Sequence, residues 1–204
     1  MTHQTAFVGD IHGNLEALIG ICNALEKVDA CHTVFLGDYL NKGDNSAAVI
    51  GYLLDLEKSG QASVLVGNHE LALLDALETG DIASFLKMGG AMTIRSYVNM
   101  GRVGPDVLTD FRAAFPRSHL EFLQRMPAQF VMDDLDARHH PYDEHDRFHI
   151  SAHVPVGRLP LIENNSAQLD TGCGGDKRGR LTAFLWPSRT FIQVDSAGNP
   201  VFSE

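Results

Sequence analysis

Three stretches of the chain share one design: Thr5 to Asn14 (TAFVGDIHGN), Thr33 to Asp38 (TVFLGD) and Ser63 to Glu70 (SVLVGNHE). Each is a short apolar run that stops at a glycine beside a side chain able to bind metal. A run rich in Val, Phe and Leu that ends at glycine and gives way to a helical pattern is one strand-helix unit, and three in succession imply a parallel sheet. Ligands of such sheets gather beyond the carboxyl ends of the strands. Asp10, His12, Asp38, Asn68 and His69 all fall at that end, so separate parts of the sequence aim side chains at one spot.

The connecting segments fit this reading. Asn14 can cap a helix built on Leu15, Leu18, Ile19, Cys22 and Leu25 that runs to about Lys27, and Ala48, Val49, Tyr52, Leu53 and Leu56 give a second that stops near Gly60. From Glu70 to Met126 the pattern is helical, punctuated by Gly89-Gly90, Gly104-Pro105 and Pro116, which predicts a helical excursion after the third strand, beside the mouth of the site. Between Pro127 and His153 the chain turns polar and carries His139, His140, His145 and His149, a composition that suits an exposed loop with no strand assigned. Beyond it, FHISAHV, AQLD, LTAFLW and TFIQVD predict a second set of mainly antiparallel strands.

A chain of 204 residues with 44% hydrophobic content has material for one well-buried core, so residues 1–204 are expected to form a single domain. The formal net charge of -10 argues against binding nucleic acid or anionic membranes, both of which select basic surfaces. No signal-peptide layout and no apolar run of spanning length is present, so a cytoplasmic location is expected. Cys22, Cys31 and Cys173 are an odd, scattered set without CxxC spacing, which reads as reduced thiols acting as small buried apolar residues.

The chemistry at the strand ends is that of a metal site. If extended geometry continues past the first strand, Asp10 and His12, two apart, leave the same face and can share one ion. The Asp38 carboxylate has two oxygens that can bridge a pair of ions, and Asn68 adds a carbonyl oxygen. Carboxylate, imidazole and carbonyl donors without thiolate select manganese, iron or zinc. Two such ions would acidify a shared water and clamp phosphoryl oxygens during in-line attack, with His69 placed to protonate the leaving oxygen. A dinucleotide-binding loop is the other strand-to-helix reading, but GDIHGN lacks GxGxxG and sets an acid and a histidine where pyrophosphate would lie.

Gly9-Asp10-Ile11-His12-Gly13, Gly37-Asp38 with Gly43, and Gly67-Asn68-His69-Glu70 resemble the three signature blocks of the calcineurin-like metallophosphoesterases, and GNHE resembles their phosphoprotein phosphatase branch. FLKMGGAMTIRSY and HLEFLQRMP are similar to helical segments of bacterial serine/threonine phosphatases, and AHVPV and LDTGCGGDKRGRLTA to their late blocks. The resemblance implies an α/β fold, a two-sheet β-sandwich flanked by helices in a four-layer αββα arrangement, holding two divalent metals, manganese first and iron or zinc as alternatives. It implies that Asp10 and His12 bind one metal, Asp38 bridges, Asn68 binds the second, His69 is the acid and His153 is the late histidine ligand. The middle histidine block is absent as such. Either His139 or His140 supplies that ligand, with His140 the residue named, or the chain around His153 is itself the middle block and the late ligand is lost.

Departures from the pattern fall in the second block, GDYLNKG, where relatives read GDxVDRG. Asn41 stands in place of the acid that orients the catalytic histidine; it can still accept a hydrogen bond but carries no charge to support an imidazolium. Lys42 replaces a phosphate-binding arginine, keeping a point charge and losing the bidentate fork. Val66 stands where many relatives have another arginine, and Arg95 or Arg158 could substitute, with Arg95 the residue named for phosphate contact. The expected function is hydrolysis of phosphate monoesters, phosphoserine and phosphothreonine on proteins in the sharper form. Hydrolysis of diadenosine polyphosphates or other nucleotide phosphoanhydrides is the alternative, since those relatives also lack the acid at Asn41, and a metal-binding regulatory protein with weakened catalysis is a third. The expected partner is a phosphorylated substrate, protein or small molecule.

Overall fold

Alternate residues at the end of the first strand, β1 (Gln4–Val8), enter two different cores, which is why Ala6, Phe7 and Val8 are all apolar. Ala6 and Val8 face the helices, and Phe7 faces a second sheet. The computed structural model describes residues 4–28, 30–98, 106–142 and 147–201. Its first half alternates strand and helix: β1, α1 (Leu15–Glu26), β2 (Ala30–Phe35), α2 (Ser46–Lys58) and β3 (Ala62–Val64). Asn14 caps α1, its side chain accepting from Ala17 N at 3.0 Å. β1, β2 and β3 run parallel, in that order.

The predicted helical excursion follows as α3 (Asn68–Thr79), α4 (Ala83–Lys87), α5 (Gly90–Tyr97), α6 (Val107–Ala114) and α7 (Arg117–Arg125). Gly104-Pro105 lies outside the described residues. Next come β4 (Gln129–Val131), β5 (Leu135–Arg138), β6 (Phe148–Ser151), β7 (Leu161–Ile162) and β8 (Ser166–Gln168), and finally β9 (Leu181–Trp186), β10 (Thr190–Val194) and β11 (Pro200–Val201). The six-stranded first sheet has the order β11-β10-β9-β1-β2-β3, and the five-stranded second sheet the order β4-β5-β6-β8-β7.

Two corrections concern the C-terminal half. The segment expected to be a loop holds two strands, β4 and β5, ahead of β6, which falls in the expected FHISAHV run. In β5 the apolar positions Leu135 and Ala137 alternate with the polar Asp136 and Arg138, too short a run to stand out among charged neighbours. The later strands do not form one antiparallel set either. β9, β10 and β11 extend the first sheet by antiparallel pairing on the open side of β1, while β5, β6 and β8 pair in parallel within the second sheet.

Between the sheets lie Phe7, Val34, Leu36 and Leu65 on one side and Leu135, Phe148, Ile150 and Leu169 on the other, joined by Phe184 and Trp186 of β9. Each such fully buried side chain contributes roughly 1.5–3 kcal/mol. The helices pack on the opposite face of the first sheet, over Ala6, Val8, Phe35, Ala183 and Leu185. The expected α/β sandwich of two sheets flanked by helices is therefore present. No helix among the described residues is long and apolar enough to cross a membrane. All three cysteines are free thiols, but only Cys173 is a buried one; Cys22 is half-buried and Cys31 exposed.

Candidate metal centre

β1, β2 and β3 end at one rim, and the loops that leave them are tied together through the backbone. Ile11 N and His12 N both donate to Asp38 O, at 3.1 and 2.9 Å, and Gly43 N donates to His12 O at 3.0 Å. The extended geometry expected to carry Asp10 and His12 to one face does not persist. β1 stops at Val8 and His12 turns into the left-handed region with φ 48°, because both amides are claimed by the same carbonyl. Asp38, Asn41, Lys42 and His153 share that conformation, with φ of 58°, 70°, 60° and 68°. Each such residue costs on the order of 1–3 kcal/mol, strain held in place by the surrounding hydrogen bonds.

Glu70 is the anchor of those bonds. Fully buried in the first turn of α3, its carboxylate accepts from Asp38 N and Tyr39 N, both at 2.9 Å, from Gly67 N at 3.0 Å and from Leu40 N at 3.3 Å. Burial, then the neighbouring Asp38 charge, pushes its carboxyl up to about 7 against the pull of those N–H groups. Gly67 must lack a side chain, because a Cβ there would lie 2.3 Å from Asp38 Oδ1.

Around this frame Asp38 presents its two oxygens to two different groups. Oδ2 lies 3.9 Å from His12 Nε2, which is itself 3.4 Å from Asp10 Oδ2. Oδ1 lies 3.2 Å from His139 Nε2, which is 2.8 Å from Asn68 Oδ1 and 3.2 Å from His153 Nδ1. Burial works to raise the Asp38 carboxyl, yet the hydrogen bond with His139 and the charges of His139, His69 and His12 hold it well below the usual carboxylate range. His12 Nδ1 donates to Leu40 O at 3.0 Å, which turns the Nε2 lone pair to the site.

The residues present fit two divalent ions. Three acceptors, Asn68 Oδ1, Asp38 Oδ1 and His153 Nδ1, surround the single nitrogen His139 Nε2, and one ring N–H can serve only one of them. Lone pairs converging in this way suit a cation. His12 Nε2 accepts from Lys42 Nζ at 2.7 Å, so the ammonium uses the lone pair an ion would take. With that lone pair given to an ion, Lys42 would be free to serve the cleft of about 270 Å³ that it lines with His12, Arg158 and Arg178.

Asp10, His12, Asp38, Asn68, His69 and His153 are thus brought to one place. Two ring clusters, His12 with Asp38 and His69, and His139 with His140 and His153, each offer ligand atoms within 4.8 Å of one another. His139 rather than His140 approaches Asp38 and Asn68. It follows Leu135 and Ala137 on the inward alternation of β5, whereas His140 is exposed and lies against His153 at 3.9 Å between ring centroids. That alternation was the signal in the sequence. His149 belongs elsewhere, 2.5 Å from Asp136 on the second sheet, and His145 lies outside the described residues.

Arg95 is exposed on α5 and makes no hydrogen bond or ion pair with the cluster among the described residues. Two positions earlier Thr93 is fully buried against Asn41, and two positions on a helix are about 200° apart. Asn41 touches His69 through its amide nitrogen, Nδ2 to Nδ1 at 2.7 Å, while its oxygen accepts from Thr93, so it donates where acceptance was expected. Burial lowers the His69 imidazole to about 4, with Asp38 opposing. Sequence reasoning also passed over Asp170, a buried acid beside Asp10 and His12 that is held by Gly172 N at 3.0 Å. It lies two residues past the end of β8, without the preceding glycine that marks Asp10 and Asp38 in the sequence.

Comparison with known proteins adds a family. Residues 3–169 match the profile of the calcineurin-like phosphoesterases. A zinc-dependent endopolyphosphatase of Saccharomyces cerevisiae is 28% identical over 97 residues, 46% of this chain and 28% of that protein. A protein of Caenorhabditis elegans provisionally named as a serine/threonine-protein phosphatase is 34% identical over 71 residues, 34% of this chain and 16% of its own. The matched segments thus span only a minor part of those two proteins. A crystal structure of a protein provisionally named as a diadenosine tetraphosphatase superposes with a TM-score of 0.65 at 19% identity, covering 100% of this chain and 96% of that one.

Proposed function

Because the chain belongs to the calcineurin-like phosphoesterase family, we propose that it is a dinuclear-metal-dependent hydrolase of phosphoric esters, with both ions shared through Asp38. The observation that carries this reading is the division of the Asp38 oxygens between a donor set of Asp10 and His12 and a second set of Asn68, His139 and His153. Manganese is the first metal to test, with iron and zinc as alternatives for the same donors. Bound ions would acidify water and neutralise phosphoryl oxygens. The rest is work for the protein's own side chains. Lys42 meets the phosphate as a point charge, and Arg158 and Arg178 line the cleft beyond it. His69 Nε2, 3.6 Å from Asp38 Oδ2, presents its hydrogen to the leaving oxygen.

Two substrate readings follow. Phosphoserine or phosphothreonine on proteins is supported by the Gly67-Asn68-His69-Glu70 block and the helical segments that resemble serine/threonine phosphatases. Nucleotide phosphoanhydrides, diadenosine polyphosphates among them, are supported by the amide that Asn41 turns to His69. A metal-binding regulator without turnover is the reading from outside enzymology.

Purified protein is to be supplied with manganese and assayed on an aryl phosphate, a phosphopeptide and a dinucleoside polyphosphate, beside His69→Asn. Turnover of at least one substrate is expected, falling by about 100-fold or more in His69→Asn, the scale of losing one positioned proton donor. Two bound ions with no turnover on any substrate would leave only the regulatory reading. Full activity in His69→Asn would remove His69 from the reaction.

A further inference from the structure

While His69 Nε2 faces Asp38 Oδ2 at 3.6 Å, its other ring nitrogen, Nδ1, is met by Asn41 Nδ2 at 2.7 Å. Which end of the amide faces the ring is decided on the far side. Asn41 Oδ1 lies 2.6 Å from Thr93 Oγ1, a separation typical of O–H to oxygen and short for N–H to oxygen. Thr93 Oγ1 already accepts from Asn41 N at 2.9 Å and lies 3.0 Å from Ser46 Oγ, whose hydroxyl is free to donate to it. Its single proton therefore goes to Asn41 Oδ1. Asn41, Ser46 and Thr93 are all 0% exposed, so no water competes for these positions.

An amide held this way donates to His69 Nδ1, and a nitrogen that accepts carries no proton. The remaining ring proton sits on Nε2, the nitrogen that faces the reaction. Such a ring donates a hydrogen bond well and gives up its proton poorly, because Nδ1 has no proton of its own to make the group an imidazolium.

We propose that Thr93, acting through Asn41, is a positioning residue that fixes His69 as the neutral Nε2–H tautomer, and that this makes phosphoanhydrides the preferred substrate class over alkyl phosphates. The inference rests on the phosphohydrolase reading given above. In the step concerned a water oxygen bonds phosphorus and the bond to the leaving oxygen breaks, its electron pair departing with that oxygen. The proton shed by water passes to solvent, and the attacked phosphorus leaves as inorganic phosphate from a monoester or as the phosphoryl end of a nucleotide from a dinucleoside polyphosphate. A leaving phosphate or phenolate is stable as the anion and needs only the hydrogen bond from Nε2. A serine or threonine alkoxide needs a proton the tautomer withholds.

The test is a leaving-group series on the manganese-loaded protein: nitrophenyl phosphate, phenyl phosphate, a dinucleoside polyphosphate and phosphoserine. The activated substrates are expected to exceed phosphoserine in kcat/KM by about 100-fold or more, the low end of what a general acid contributes. Asn41→Asp, which accepts from Nδ1–H, is expected to narrow that gap by at least about tenfold. Thr93→Val is expected to narrow it in the same direction, and Thr93→Ser to restore it. A gap that is absent in the wild type, or unchanged in both Asn41→Asp and Thr93→Val, would overturn the proposal. Nitrogen-15 spectra of the His69 ring in the metal-free protein give a readout independent of turnover. A protonated Nε2 with a bare Nδ1 supports the positioning role of Thr93 and Asn41 even if every substrate fails, in which case the phosphohydrolase reading and the substrate preference fall with it, and a protonated Nδ1 overturns the proposal.

Discussion

Asp38→Asn is expected to lower kcat/KM by more than about 100-fold and to leave an enzyme that excess manganese does not rescue. Loss of partners that merely orient a ligand already costs roughly 10–100-fold in metal affinity or activity. Among the described residues Asp38 is the one carboxylate whose two oxygens face both donor sets, Oδ2 towards His12 and Oδ1 towards His139. Asparagine keeps one oxygen and turns an N–H2 towards the other set, where it repels a cation. Glu70 still holds Asp38 N and Tyr39 N, while Asp38 Oδ1 accepts from His69 N at 3.1 Å, a bond that asparagine keeps if its oxygen takes that position. The measurement is kcat/KM on an aryl phosphate across a manganese series, with urea unfolding as the control for folding. A variant within about tenfold of the wild type at saturating manganese would show that Asp38 does not bridge.

Glu70→Ala is expected to produce the largest loss of stability among the residues around the site. Its carboxylate satisfies four backbone N–H groups, from Asp38, Tyr39, Leu40 and Gly67, in a position with no solvent access. A buried donor stripped of its acceptor costs about 1–3 kcal/mol. Four of them amount to roughly 4 kcal/mol or more, a large part of the 5–15 kcal/mol typical of a folded domain. Glu70→Gln separates charge from shape: one amide oxygen still accepts, while the N–H2 confronts donors, so an intermediate loss is expected. Urea midpoints of the three proteins measure this. A shift below about 1 kcal/mol in Glu70→Ala would mean that the loops after β1 and β2 hold their strained conformations without it.

The first half of the fold was legible because its signals are local. A glycine ending each apolar run, Asn14 at a helix start and helical spacing through Leu15 and Val49 are read within a dozen residues, and β1, α1, β2, α2 and β3 follow them. The pairing of β9 with the open side of β1 was not legible, since partners as far apart as Thr5 and Trp186 leave no mark on local pattern. At the site, residue type identified Asp10, His12, Asp38, Asn68 and His69 for the right spot. Conformation was a different matter. The left-handed turns at His12, Asp38, Asn41, Lys42 and His153 depend on backbone hydrogen bonds between loops, which spacing does not encode. The donor role of Asn41 is likewise a property of Thr93, 52 residues away, and not of the asparagine itself.

The most direct test of the whole account is the number of divalent ions held by the wild-type chain, measured by equilibrium dialysis against manganese followed by elemental analysis. Two ions per chain are predicted, one for Asp10 and His12 and one for Asn68, His139 and His153, with Asp38 common to both. A single ion at saturation, or none, would contradict the dinuclear centre on which the proposed chemistry depends.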